Sequence, residues 1–238
     1  AIQMSSWESP LRHLMSLFGH DAATLRCALA PMTVIPEEVS SHLVSVTAAR
    51  RDSFARHIEE SSTEVLQFLY VWLANRGSDS KLHVEIFRCL AGWLKACNIP
   101  LAALTTNPIT AAIFEGLGQP HLFDVAVDCA CELVHIAGDP APEKNPLLSF
   151  IITRVTALAP KYRQSLADSD ADVARGLCRI FCETGENYAP FVVRGTPEGF
   201  ALTTLLLEAS AHPDPDIAAL TFSFFHAVSK CVVMSLPE

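Results

Sequence analysis

The sequence predicts an all-α protein, an α-α superhelix built from stacked helix pairs. Three observations carry that prediction. One apolar helix pattern recurs at 84–90, 125–131, 173–179 and 217–223, and aligning Cys89, Cys129, Cys178 and Phe222 gives steps of 40, 49 and 44 residues. Four helix starts share one spelling, a capping residue before proline: Asn107-Pro108, Asn145-Pro146, Thr196-Pro197 and Asp214-Pro215. Sustained two-residue alternation, the mark of a half-buried strand, is almost absent.

The repeat spacing suits HEAT and armadillo units, which recur every ~40–47 residues as packed helix pairs. Such a unit cannot bury its apolar face alone and stacks on its neighbours. The expected product is a surface that holds other macromolecules, with no enclosed active site. Residues 1–238 read as a single HEAT-repeat array of about five antiparallel pairs, at 7–34, 52–97, 101–137, 144–188 and 196–231.

The first pair is read as helices over 7–18 and 21–34. The second spans 53–74 and 80–96. In its first helix Phe54, Ile58, Val65, Leu69, Trp72 and Leu73 share a face. Asp52 or Ser53 is its expected cap, and Asn75-Arg76-Gly77 its stop. The third pair is short, at 108–117 and 121–136. The fourth covers 146–167 and 170–188, and Pro160 is expected to kink or split its first helix, because proline lacks an N–H and clashes with the preceding turn. The fifth covers 197–211 and 215–231. Gly77, Gly118 and Gly138 stand where helices should stop. Long loops are expected at 39–51 and 138–145. Glu37 and Glu38, after Pro36, suit the first turn of a helix, where negative charge favours the dipole.

Half of the 238 residues are apolar, and mean hydropathy is +0.28. No apolar run is read as reaching the ~18 residues a membrane span needs; the longest candidate, 201–207, is broken by Thr203, Thr204 and Glu208. Membrane insertion is therefore not expected. The apolar excess fits helical packing, and also a piece of a longer solenoid whose ends expose stacking faces. Net charge is −9, which argues against direct nucleic-acid binding, since that needs a dense Lys/Arg surface. It is compatible with a basic protein partner.

No basic stretch followed by an apolar one marks a signal peptide near Ala1. The eight cysteines sit in amphipathic helices, as reduced thiols of a cytosolic or nuclear protein do. Cys129 and Cys131, two apart, project to opposite sides of a helix, whereas Cys178 and Cys182 share a face. Neither couple has a second couple to complete a zinc site. The thiols are expected to be buried, and no metal or cofactor is expected. No cysteine–histidine catalytic spelling, phosphate-binding glycine loop or zinc-protease motif is present, so an enzyme is not expected.

The repeating residues also resemble a known family. Ile35-Pro36-Glu37-Glu38-Val39, the paired Arg50-Arg51, and Phe87-Arg88-Cys89-Leu90 followed by Gly92-Trp93-Leu94 are similar to the importin-β (karyopherin-β) superfamily, most of all its transportin-SR receptors. The likeness continues through Asp128-Cys129-Ala130-Cys131, Cys178-Arg179-Ile180-Phe181, Leu205-Leu206-Leu207 with His212-Pro213, and Phe222-Ser223-Phe224-Phe225. These matches are collinear over nearly the whole chain. The resemblance implies an internal stretch of a shuttling nuclear import receptor, moving between cytoplasm and nucleus. It implies protein cargo, serine/arginine-rich splicing factors among them, contact with nucleoporins, and cargo release by the GTP-bound Ran GTPase. The resemblance further implies that the main Ran site, carried by leading repeats, is mostly missing from this stretch. The alternative is a HEAT-repeat scaffold without Ran regulation.

Polar stripes on the second helices are the candidate partner-binding residues. Lys81, Glu85 and Arg88, continuing to Lys95, form a mixed line in which Lys81 and Glu85 are spaced to pair. Asp124, Asp128, Glu132 and His135 form a mainly acidic line. Arg175, Arg179, Glu183 and Glu186 form a third. They read either as solvated faces and inter-repeat ion pairs or, as the family resemblance implies, as the surface that holds cargo.

Overall fold

A computed structural model describes residues 9–40, 47–75, 79–138 and 145–235. Every regular element among the described residues is helical, as predicted. The chain divides in sequence after Cys129 into two compact units.

The first unit holds α1 (Pro10–Phe18), α2 (Ala22–Ser40), α3 (Ala48–Leu73), α4 (Ser80–Ala96), α5 (Leu101–Thr106), α6 (Ile109–Gly116) and the start of α7 (Phe123–Ile136). Helix α1 packs on α2, α3 packs on α4, and α2 lies along α4. The α2–α4 contact joins two second helices. There the Trp93 indole, fully buried, donates Nε1–H to the Met32 carbonyl at 2.9 Å. Its polar tip is thereby satisfied inside an apolar layer. Gly92 stands where a Cβ would sit 3.2 Å from the Thr33 carbonyl, so the two backbones approach closely.

The second unit holds the rest of α7, α8 (Pro146–Thr156), α9 (Ala159–Ala167), α10 (Ala171–Asn187), α11 (Ala189–Val192), α12 (Pro197–Ser210), α13 (Pro215–Ala218), one 3-10 turn (Ala219–Thr221) and α14 (Phe222–Ser235). Its centre is α10, which packs against α9, α12 and α14. Ala174, Leu177, Cys178, Phe181 and Cys182 form its buried stripe. Tyr188, just past the helix, donates its hydroxyl to the Val134 carbonyl at 3.0 Å.

The predicted caps form. Asn107 accepts from Ile109 N–H, Asn145 from Leu147 and Leu148, Thr196 from Gly199 and Asp214 from Asp216. Asn145 is also buried and donates to the Ala137 carbonyl at 3.1 Å, tying the start of α8 to the end of α7. Gly118 and Gly138 lie just past the ends of α6 and α7, each donating to a carbonyl of the last turn. Pro160 splits its helix as expected: α8 ends at Thr156 and α9 restarts at Ala159 with the proline in its first turn. Helix α4 has the predicted bounds.

Several expectations are corrected. Helix α2 runs past residue 34 to Ser40, through Pro31 and Pro36. Its apolar stripe of Leu25, Leu29, Met32, Ile35 and Val39 stays buried along the whole length, and that packing outweighs the hydrogen bonds the prolines remove. Glu37 and Glu38 therefore stand in the last turn of α2, not the first turn of a helix. Helix α3 starts at Ala48 with Thr47 before it, so Asp52 and Ser53 lie inside it; of the loop read over 39–51, residues 39–40 and 48–51 are helical and 41–46 lie outside the described residues. Short helices α5 and α11 were not predicted. Trp7, Arg76, Gly77 and most of the loop at 138–145 lie outside the described residues.

The fifth pair differs most. Phe222 is 67% exposed, whereas Thr221 and Phe224 are buried. The buried series Ile217, Thr221, Phe224 has the same 4-3 spacing as Ala174, Cys178, Phe181 in α10. Thr221 is thus the counterpart of Cys178, and the last alignment step is one residue too long. The longest apolar segment is also not 201–207 but Pro215–Met234, 20 residues at mean hydropathy 1.6, long and apolar enough to cross a membrane by composition alone. It is interrupted by the 3-10 turn and carries Asp216 and Lys230.

Candidate partner-binding surface

The three stripes face outward from the second helices, but they are not equally available. On α4, Lys81, Arg88 and Lys95 are exposed and seven residues apart, so they line one side of the helix. The Glu85 carboxylate turns to α2, 3.3 Å from Arg26 Nε, and not to Lys81 as its spacing suggested. Arg26 Nη2 also reaches both oxygens of Asp79 at 3.0 Å. Asp79 caps α4 through Leu82 N–H at 2.7 Å, and that hydrogen bond, followed by the Arg26 charge, holds its pKa below the usual carboxylate value. The acid of the mixed line is spent on packing, which leaves a cationic row.

On α7, Asp124 and Asp128 are exposed, Glu132 is half-buried, and the three repeat every four residues on one side. His135 closes the row differently. Its Nε2 lies 3.3 Å from Glu183 and its Nδ1 lies 3.4 Å from Asn187 Oδ1, both on α10. On α10, Arg175 reaches Asp214 at 3.4 Å, at the start of α13, while Arg179 and Glu186 are exposed. Among the first helices, Arg12 pairs with Glu64 at 2.7 Å and Arg163 with Glu208 through two hydrogen bonds. The Arg163 hydrogen bond holds the Glu208 carboxyl below its ordinary pKa. These pairs are solvent-exposed, so each adds little to stability. The stripe residues thus divide: Glu85, Arg175 and Glu183 serve helix packing, while Lys81, Arg88 and Asp124 are exposed to solvent.

Most of the cysteines are covered by the fold. Cys89, Cys97, Cys129, Cys131, Cys178 and Cys182 are buried; Cys27 is exposed and Cys231 partly so, against the expectation that all eight are covered. Burial pushes the Cys89 and Cys97 thiols up to about 12. Cys129 donates to the Phe87 carbonyl at 3.3 Å. Cys178 and Cys182 lie 3.8 Å apart, and the hydrogen bond between them lowers the pKa of Cys178 and raises that of Cys182. No cluster of three or more metal-ligating side chains occurs among the described residues.

Sequence reasoning missed one surface feature. In the first unit an open groove of about 770 Å³ runs beside α1, α3 and α5, lined by Met15, Gln67, Phe68, Val71, Ala103 and Pro108. Val71 on its wall is 55% exposed. The Arg12–Glu64 pair stands among its lining residues. The only sequence signal was Val71 on the polar side of a helix whose apolar face was already assigned.

The profile of the Exportin 1-like protein family matches residues 1–130, more than half of the chain. The chain belongs to the importin-β superfamily. The profile of the Transportin-3/Importin-13 second TPR domain matches residues 169–236 in addition. Among similar proteins, Transportin MOS14 of Arabidopsis thaliana is 28% identical over 83% of the chain and 20% of its own length. Importin-13 of Gallus gallus is 22% identical over 98% of the chain and 25% of its own length. Importin-13 of Homo sapiens is 24% identical over 77% of the chain and 19% of its own length. The chain thus spans about a fifth to a quarter of these relatives. Superfamily members are transport receptors and not enzymes, in line with the sequence reading.

Proposed function

We propose that this chain is a cargo-holding stretch of a nuclear import receptor of the transportin and importin-13 kind. The observation that carries the reading is the superfamily match together with second helices whose outward rows remain open to solvent. Binding is non-covalent. The acidic row Asp124, Asp128 and Glu132 suits a basic cargo segment, with serine/arginine-rich splicing factors as the cargo class. The cationic row Lys81, Arg88 and Lys95 suits acidic patches on folded cargo. Such charges set encounter rate and selectivity more than raw affinity.

The groove beside α1, α3 and α5 is the proposed seat for nucleoporin repeats, because Met15, Phe68, Val71, Ala103 and Pro108 give it an apolar lining beside the Arg12–Glu64 pair. Ran-GTP releases cargo by favouring a different arrangement of the repeats, and its main contact lies outside this stretch. Release requires only that the two ligands prefer different states. The receptor shuttles between cytoplasm and nucleus. In this reading the exposed Phe222, Val233 and Met234 of α14 form a stacking face for another helix pair and not a membrane segment.

A pull-down with a full-length receptor that contains this chain, with and without Ran-GTP, tests the proposal. Cargo should be retained without Ran-GTP and released with it. Retention that ignores Ran-GTP would instead mark a helical-repeat scaffold.

A further inference from the structure

The one adjacent pair of arginines in the sequence, Arg50-Arg51, stands two and three residues before Ser53, with Phe54 after it. None of the stripes or the groove uses this segment. It forms the first turns of α3, where residues 47–50, 52 and 53 are exposed and Arg51 is only half-buried; Phe54 is the first residue of the helix to enter the core. Thr47, at the helix start, makes no side-chain capping hydrogen bond. Unwinding these turns breaks no apolar packing before Phe54, and helix ends of that kind open far more readily than packed interiors.

We propose that Ser53 is a phosphorylation site for a protein kinase with an acidic substrate cleft. Such a cleft reads arginines three and two residues before the acceptor by charge, and an apolar residue after it by a pocket. The Ser53 hydroxyl oxygen attacks the γ-phosphorus of ATP. The bond from that phosphorus to the ADP oxygen breaks, and the hydroxyl proton passes to the kinase's catalytic base. Among the described residues, the other hydroxyls two residues after an arginine are unsuited: Thr156 follows Arg154 but donates to the Ile152 carbonyl at 2.9 Å inside α8. Ser165 follows Arg163 by two residues but is buried, and Thr196 follows Arg194 but spends its hydroxyl capping Gly199. Once attached, the phosphate carries about −2 charge. Arg50 and Arg56 flank it at three residues on either side of the same helix face. Arg56 Nε donates to the Asp52 carbonyl at a long 3.4 Å. Modification therefore neutralises the densest basic spot of the chain and holds the helix start closed through charge-assisted hydrogen bonds.

The test is to incubate the whole 238-residue chain with the catalytic subunit of cyclic-AMP-dependent protein kinase and Mg-ATP, and to map phosphate by mass spectrometry. One phosphate is expected, on Ser53. It should vanish in Ser53→Ala, and its rate should fall at least tenfold when Arg50 and Arg51 are both changed to alanine, with circular dichroism unchanged in each variant. A phosphate placed elsewhere overturns the proposal. So does a chain that stays unlabelled, and a peptide of residues 47–58 run alongside tells whether the charge pattern or the helix is the reason.

Discussion

Single residues decide the chemistry of this chain mostly by being out of reach. Six thiols are buried, and for Cys89 and Cys97 the loss of solvation makes the thiolate, which is the reactive form, scarce near neutral pH. Cys27 has no such protection. A maleimide or disulfide reagent at pH 8 should therefore modify Cys27 first and Cys231 next, with Cys89, Cys97 and Cys129 reacting only as the fold opens. Mass spectrometry of the partly labelled chain checks the order; early modification of Cys89 would contradict it. Caps were legible at this scale because their chemistry is local. Asn145, Thr196 and Asp214 each carry the acceptor that the following N–H groups require. The partner of Glu85 was not legible, because Arg26 lies 59 positions earlier and only the packing of α2 on α4 brings it near.

At the scale of elements, the second helices are shaped for close stacking. Gly185 on α10 makes the point, since a methyl group there would lie 2.6 Å from both Leu206 Cδ1 and Phe224 Cδ2. Gly185→Ala should lower unfolding free energy by about 1–3 kcal/mol through overpacking, even though alanine is the better helix former. Denaturant unfolding measures this, and an unchanged midpoint would mean that α12 and α14 yield freely. Helix existence and type were readable from periodicity. Helix ends were readable where a cap and a proline coincide, as at Pro146 and Pro197. They were unreadable where distant packing overrides a local breaker, as at Pro31 and Pro36 inside α2. The register of α14 failed for a related reason. Several neighbouring apolar residues fit the pattern, and only contact with α10 selects Thr221 and Phe224 over Phe222.

For the whole molecule, the sequence made the architecture legible through its repeat, while the residues of the candidate partner faces had to be sorted by structure. Residues on one stripe looked equivalent in sequence, yet Glu85, Arg175 and Glu183 are engaged between helices while Asp124, Lys81 and Arg88 are exposed. Affinity for Ran-GTP should be weak in the isolated chain, because the proposed main contact lies in other repeats; submicromolar binding by calorimetry would refute that. The central claim concerns the acidic row of α7. Replacing Asp124, Asp128 and Glu132 together by lysine, in a full-length receptor that contains this chain, should weaken binding of a basic cargo at least tenfold while helix content by circular dichroism stays the same. Cargo affinity equal to that of the unmodified receptor would contradict the account.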